Sequence, residues 1–337
     1  MTQELPPPVQ LMHLLFGFAA SRAIGVTAEL HIADLLEDGP KTAEELAEKT
    51  NVHARSLFRV LRACACVGVY SINEQKQFSL TPLAEPLLSS APGSLRPFAE
   101  MITTDWTFQT WAELPYSVKT GKPAFDKVHG MTSFDYFWSN KKAGQQFNDA
   151  MTSNSAFASV AVVNSYDFSS ISKLVDVGGG HGFLLASILS KYNTVKGVLY
   201  DMPAIVAEAK ELLASHGVTD RCETVGGNFF DSVPEGADAY IMKHIIHDWS
   251  DEQCINILTN CRNALAPDGK VLVVELVLPE GNEPSLGKFL DLQMLQFLPG
   301  CERTEAEYRS LFDKAGLQLT RILPTPSPFS IIEGNLK

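Results

Sequence analysis

The pattern of apolar and polar positions divides the chain into a helical first half and a second half of alternating strands and helices. Over residues 9–38, apolar side chains recur at helical spacing: Val9, Leu11, Met12, Leu14, Leu15 and Phe18, then Ile24, Val26, Leu30, Ile32, Leu35 and Leu36. The first of these helices is apolar nearly all round, Phe16 included. A helix of that kind near a terminus is expected to be covered, and a second copy of the chain is the expected cover. Thr42-Ala43-Glu44-Glu45 is a capping box that opens a short helix. A turn at Asn51-Val52 leads to a second helix, His53–Val69, with Leu57, Val60, Leu61 and Cys64 inward. Val69–Ile72 and Gln77–Leu80 flank Asn73–Lys76 as a hairpin. Together these elements predict a winged helix-turn-helix arrangement. Residues 84–160 read as helical, with an aromatic-rich middle running from Trp106 to Phe147.

From residue 172 strands and helices alternate, which predicts a parallel sheet. Strands are expected at Lys173–Val177, Gly197–Asp201, Cys222–Val225, Ala239–Met242 and Lys270–Leu276. Helices are expected over Pro203–Leu213, Asp251–Leu265, Leu286–Phe297 and Glu305–Ala315. Gln318–Leu323 and Phe329–Glu333 have no helix between them, so they are expected to pair antiparallel.

Composition changes this picture little. The formal charge is −12, which disfavours nucleic acid and anionic membrane surfaces. Arg55, Arg59 and Arg62 on the second helix of the winged module are too few for a phosphate footprint, so that module is expected to pack rather than to bind DNA. The six cysteines, at 64, 66, 222, 254, 261 and 301, form no CxxC pair and read as reduced buried thiols. No run of about 18 apolar residues offers a membrane span, and a cytoplasmic protein is expected.

In an open parallel sheet, ligands bind beyond the carboxyl ends of the strands. Leu174–Val177 runs into Gly178-Gly179-Gly180-His181-Gly182 and then an apolar helix, so a strand, a tight turn and a helix N-terminus face one ligand. Asp201 ends the next strand 19 residues after Gly182, where a carboxylate can accept both hydroxyls of a ribose. Phe183 and Leu185 occupy positions that a GxGxxG dinucleotide fingerprint reserves for glycine. The run is instead Asp-x-Gly-x-Gly-x-Gly, headed by Asp176. His247, after the fourth strand and beside Asp248, suits a general base, and Glu275 and Glu302 are carboxylates that could orient it. His244 and His247 have no carboxylate or Cys at ligand spacing, so no metal is expected.

Five motifs in order then make the chain resemble the S-adenosylmethionine-dependent O-methyltransferases of the plant caffeate, flavonoid and acetylserotonin type and their bacterial relatives. They are Leu174–Gly182, Leu199–Pro203, Gly227–Phe230, Lys243–Trp249 with Ser250-Asp251-Glu252, and Glu302-Arg303-Thr304. The resemblance implies a winged-helix dimerisation domain over 1–95, a helical pocket region over 96–160, and a Rossmann-like methyltransferase domain over 161–337. It implies a homodimer, a small aromatic acceptor, and S-adenosylmethionine as cofactor. The turn with Asp176, Gly178 and Gly180 would hold the methionine part, as would Ser155. Asp201 would hold the ribose, Asn228 and Phe229 would flank the adenine, and Lys243 would make polar contacts. His247 would take the acceptor proton, braced by Glu275 and Glu302. Phe147, Met151, Asp248, Met294 and Leu298 would contact the acceptor. The chain departs from the family at Asn228, usually Asp, and at Leu298, often polar in phenylpropanoid-methylating relatives. His244 replaces a common aromatic residue.

Overall fold

The computed structural model describes residues 5–337. Two compact units result, one from the residues up to Gln109 with Tyr136–Asn154, the other from Thr110–Asp135 with Ser155–Lys337. Residues 96–160 are thus shared between the units.

In the first unit the 9–38 pattern resolves into three helices, because the backbone leaves helical geometry at Phe16 and turns left-handed at His31 (φ 52°). They are α1 (Pro7–Leu15), α2 (Gly17–Glu29) and a short helix at Ile32–Leu36. The capping box at Thr42 forms in both directions. The next long helix, α3 (Ala54–Cys66), is capped by the His53 ring, which accepts from Ser56 N–H at 3.3 Å. Its apolar face, Leu57, Leu61 and Cys64, packs with Leu46 and Phe78 into one core. Tyr70–Ile72 and Gln77–Leu80 pair antiparallel, and Lys41–Thr42 joins them, which completes the winged arrangement. No buried residue lies on α1; Leu14, Leu15 and Phe16 are 77%, 65% and 60% exposed. Among the described residues, no single helix is long and apolar enough to cross a membrane.

Helix α4 (Lys141–Ser165) begins in the first unit and ends in the second. The second unit carries a seven-stranded sheet: β1 (Lys173–Val177), β2 (Lys196–Asp201), β3 (Cys222–Gly226), β4 (Ala237–Lys243), β5 (Leu265–Glu275), β6 (Leu317–Pro324) and β7 (Ser330–Leu336). The spatial order is β6-β7-β5-β4-β1-β2-β3. Strands β1 to β5 are parallel, and β7 pairs antiparallel with both β5 and β6. The two-residue side-chain period of β1 sends Leu174 into one buried layer and Val175 and Val177 into the other. Such two-sided burial is what makes parallel strands read as continuous apolar runs. Strand β5 starts earlier than its apolar run, because Pro267-Asp268-Gly269 is drawn into the sheet with Asp268 left-handed (φ 62°). The remaining helices used below are α5 (Phe183–Lys191), α6 (Asp251–Ala264), α7 (Leu286–Phe297) and α8 (Glu305–Lys314).

The cysteine expectation needs correction. All six are free, but only Cys64, Cys254 and Cys261 are buried; Cys66 is exposed, because two residues along a helix rotate the side chain to the other face.

Candidate active site

Parallel pairing puts the carboxyl ends of β1, β2, β4 and β5 on one edge of the sheet, and the site is built there. At the end of β1 the chain enters the glycine turn. Gly178 is left-handed (φ 67°), and a Cβ there would lie 2.5 Å from Ile245 Cδ1 and 3.6 Å from Phe229 Cε1. That position therefore requires glycine on both backbone and steric grounds. Asp201 holds the turn in place: its Oδ2 accepts from Gly180 N–H at 2.8 Å and its Oδ1 from Met202 N–H at 2.6 Å. Behind the turn Asp176 is buried, and its Oδ2 has no hydrogen-bond partner among the described residues. Burial raises its carboxyl to about 7, against the pull of Lys243. Burial likewise lowers Lys243 to about 8, opposed by Asp176 and Glu275. Lys243 Nζ donates to His244 Nδ1 at 3.4 Å.

At the end of β4, His244 is left-handed (φ 57°) and reverses the chain into the short 3-10 turn Ile246–Asp248. Its ring centroid lies 4.3 Å from that of Phe329 and 5.5 Å from that of His247, the latter pair stacked. Burial, then the Lys243 and His247 charges, keep His244 far below the usual histidine range, so it is a neutral plate beside His247. This accounts for a residue that the sequence left without a role.

Glu275 and Glu302 converge on the His247 turn in different ways. Glu275 Oε1 accepts from the N–H groups of Ile245 and Ile246, both at 2.9 Å, and of His247 at 3.4 Å. Its Oε2 lies 3.7 Å from His247 Nδ1. Glu302 Oε1 accepts directly from Nδ1–H at 2.8 Å. On the opposite side of the ring, Asp248 Oδ1 lies 3.4 Å from Nε2. Burial disfavours a charged imidazole, but Glu275, Asp248 and Glu302 outweigh it and raise His247 to about 10. Burial raises Glu275 to about 7 and Asp248 to about 6, in each case against the attraction of His247. Donor atoms of His247, Glu275 and Glu302 lie within 4.8 Å of one another, a spacing a cation could use. Glu302 Oε1 takes the ring N–H and Glu275 Oε1 the backbone N–H groups, while Oε2 of each has no hydrogen-bond partner among the described residues.

Other expected residues fall as follows. Phe229 stands against Gly178 and is backed edge-on by Phe230 at 4.9 Å and Trp249 at 6.1 Å. Asn228 is exposed and spends its side chain on its own turn, Oδ1 accepting from Phe230 N–H at 3.1 Å and Nδ2 donating to Asp231 at 3.1 Å. Met294 and Leu298 are half-buried on and just after α7, whose Asp291 accepts from Glu302 N–H at 2.9 Å. Ser155 is half-buried in the second-unit part of α4. Phe147 and Met151 lie in the first unit, where Phe147 stacks on Phe137 at 4.6 Å.

Residues 111–318 match the family model for the O-methyltransferase domain, and residues 12–90 that for the O-methyltransferase dimerisation domain. The chain belongs to the O-methyltransferase family. It is 44% identical over 323 residues to phenazine O-methyltransferase PhzM of Lysobacter antibioticus, covering 96% of this chain and 94% of that one. It is 37% identical to the mitomycin biosynthesis 6-O-methyltransferase of Streptomyces lavendulae, covering 95% and 92%. Among solved structures, the methyltransferase CalO1 of calicheamicin biosynthesis, bound to S-adenosylhomocysteine, matches with a TM-score of 0.91 at 33% identity over the full length of both chains. The enzyme is an S-adenosylmethionine-dependent O-methyltransferase. The residues present fit that cofactor: a Cβ-free turn at Gly178, a carboxylate at the end of β2, an aromatic wall at Phe229, and a buried Asp176 oxygen without a hydrogen-bond partner among the described residues.

Proposed function

We propose that the methyltransferase acts on a hydroxyl of a small planar aromatic acceptor, with His247 as general base. The observation that carries this reading is the 2.8 Å hydrogen bond from His247 Nδ1 to the buried carboxylate of Glu302. It fixes the tautomer so that Nε2 is the nitrogen left to take a proton. The neutral ring takes the acceptor's hydroxyl proton on Nε2, and Glu302 and Glu275 stabilise the imidazolium that results. When bound, S-adenosylmethionine supplies a methyl group already activated on a sulfonium, so alignment and a deprotonated oxygen suffice for in-line transfer. The turn at Gly178–Gly182 and Asp176 would hold the methionine end, Asp201 the ribose, and Phe229 one face of the adenine. Ser155 and Lys243 keep their assignment to the cofactor. Lys243, set between Asp176 and Glu275, would balance both carboxylates. Asp248, beside Nε2, would meet the acceptor, with Met294 and Leu298 as apolar contacts. Phe147 and Met151 keep the same assignment to the acceptor.

The acceptor class rests on relatives whose names state a phenazine, a mitomycin, 3-amino-4-hydroxybenzoate and a dihydroxynaphthoate. Leu298 agrees with an apolar pocket. The exposed apolar residues of α1, within a dimerisation domain, support a homodimer, and six free thiols support a cytoplasmic one. The test is a panel of hydroxyphenazines, hydroxynaphthoates and hydroxyquinones incubated with isotope-labelled cofactor. A mass gain of one methyl on a phenolic oxygen is expected. Turnover confined to nitrogen, or none across the panel, would overturn the reading.

A further inference from the structure

Glu302 is the acidic residue of Glu302-Arg303-Thr304, and its neighbour has no part in the chemistry above. Arg303 is 1% exposed, a costly place for a guanidinium unless all its donors are used. They are. Nη1 donates to the carbonyls of Ile246 at 2.9 Å and Cys301 at 3.2 Å. Nη2 donates to Trp249 O at 3.0 Å and to Asp251 Oδ1 at 2.9 Å, and Nε donates to Asp251 Oδ1 at 3.1 Å. Four of the five N–H groups of the fork therefore reach one carbonyl before His247, one after Asp248, and the first residue of α6, and the fifth holds the fork's own segment at Cys301.

We propose that Arg303 is the positioning residue of the general base, its guanidinium bracketing His247 and Asp248 so that the imidazole meets Glu302 and the acceptor in one fixed orientation. This rests on the reading of His247 as the base. Three further contacts point the same way. Arg303 and Thr304 pair in parallel with Val277 and Leu278, which ties the segment bearing Glu302 to the one that follows Glu275. Gly300 presses its backbone on the same turn: a Cβ there would lie 2.0 Å from His247 O and 2.6 Å from Trp249 N. Cys254 Sγ donates to the same two carbonyls, Ile246 O at 3.1 Å and Trp249 O at 3.4 Å. The base and both its carboxylates thus sit in one clamped unit, with Arg303 at its centre. A lysine has three donors on one atom and cannot span the two carbonyls and Asp251 together.

The test compares Arg303→Lys and Asp251→Ala with the wild-type enzyme, the second because Asp251 is 64% exposed and its loss leaves the buried fork in place. For Arg303→Lys, kcat falls about 10- to 100-fold, the scale of a misplaced catalytic group, while cofactor Kd stays unchanged. The acid limb of kcat/KM moves to lower pH, because a looser turn weakens the hold of Glu275, Asp248 and Glu302 on His247, whose ring stacks on neutral His244 with Lys243 bonded to that second ring. Asp251→Ala shows a smaller loss with the same pH signature, and it decides alone if Arg303→Lys does not fold. Wild-type kcat and pH profile in Arg303→Lys, or in Asp251→Ala where it must decide, overturn the proposal, as does a kcat loss matched by an equal loss of cofactor affinity. His247→Ala is assayed in parallel. If it retains activity, the base assignment fails; if it is inactive while Arg303→Lys matches the wild type, only the clamp fails.

Discussion

Replacing Glu302 by Gln isolates the charge that the site places on the base. Gln keeps an oxygen for the Nδ1 hydrogen bond, now 2.8 Å long, and changes the side-chain volume little. A hydrogen bond to a charged group is worth about 1.5–3 kcal/mol and a neutral one about 0.5–1.5, so the loss is about 1–1.5 kcal/mol. At about 1.4 kcal/mol per pH unit, His247 should fall by about one unit. The wild-type value is raised to about 10. The neutral ring is the base, so activity is lost as pH falls below that value, and kcat/KM of the wild type should climb from neutral into alkaline pH. In Glu302→Gln the climb should end about one unit lower. The plateau kcat should drop about 10- to 100-fold, because a weaker base and a less stabilised imidazolium both raise the barrier. Initial rates across pH, with cofactor affinity measured by calorimetry, provide the assay. An acid limb that stays where it was, or a loss of cofactor affinity as large as the loss of kcat, would refute the reasoning.

Gly178→Ala places a Cβ in a left-handed residue and 2.5 Å from Ile245 Cδ1, so cofactor binding should be lost in calorimetry while the fold survives by circular dichroism. Asp201→Asn keeps the shape of the β2 end but weakens both backbone bonds and the ribose acceptor, and cofactor Kd should rise about 10- to 100-fold with a smaller effect on kcat. Charging the exposed face of α1 with Leu14→Glu and Leu15→Glu together should turn the proposed homodimer into a monomer by light scattering without unfolding α3 and its core.

What the sequence disclosed follows from local physics. Strands buried on both faces write themselves as apolar runs, and the glycines at 178, 180 and 182 mark a turn of left-handed residues at the end of β1. The antiparallel pair β6 and β7 was legible because no helix separates the two strands, and the half-exposed edge strand β3 from its place in the alternation of strands and helices. The breaks inside residues 9–38 were not, since Phe16 and His31 carry no helix-breaking signature and leave helical geometry only in the packed structure. The early start of β5 was hidden because Pro267-Asp268-Gly269 reads as a turn, yet the neighbouring β4 absorbs it through a register shift. In the site, His247 and both carboxylates were legible by motif, but their division of labour was not. Glu275 holds backbone N–H groups while Glu302 holds the ring, and no spacing along the chain encodes a contact between residues 55 apart. Asn228, expected to flank the adenine, also accepts from Phe230 N–H within its own turn, a contact the motif does not disclose. Arg303 was visible only as a letter between two others, and four of its five bonds reach residues some fifty positions away.

The central claim is that His247 removes the proton and takes no part in holding the cofactor. Single-turnover methyl transfer by His247→Ala, measured beside calorimetric binding of S-adenosylmethionine, tests it most directly. The account predicts a rate at least ~100-fold below that of the wild type with cofactor affinity intact. Transfer at a wild-type rate, or loss of transfer traced entirely to loss of cofactor binding, would contradict it.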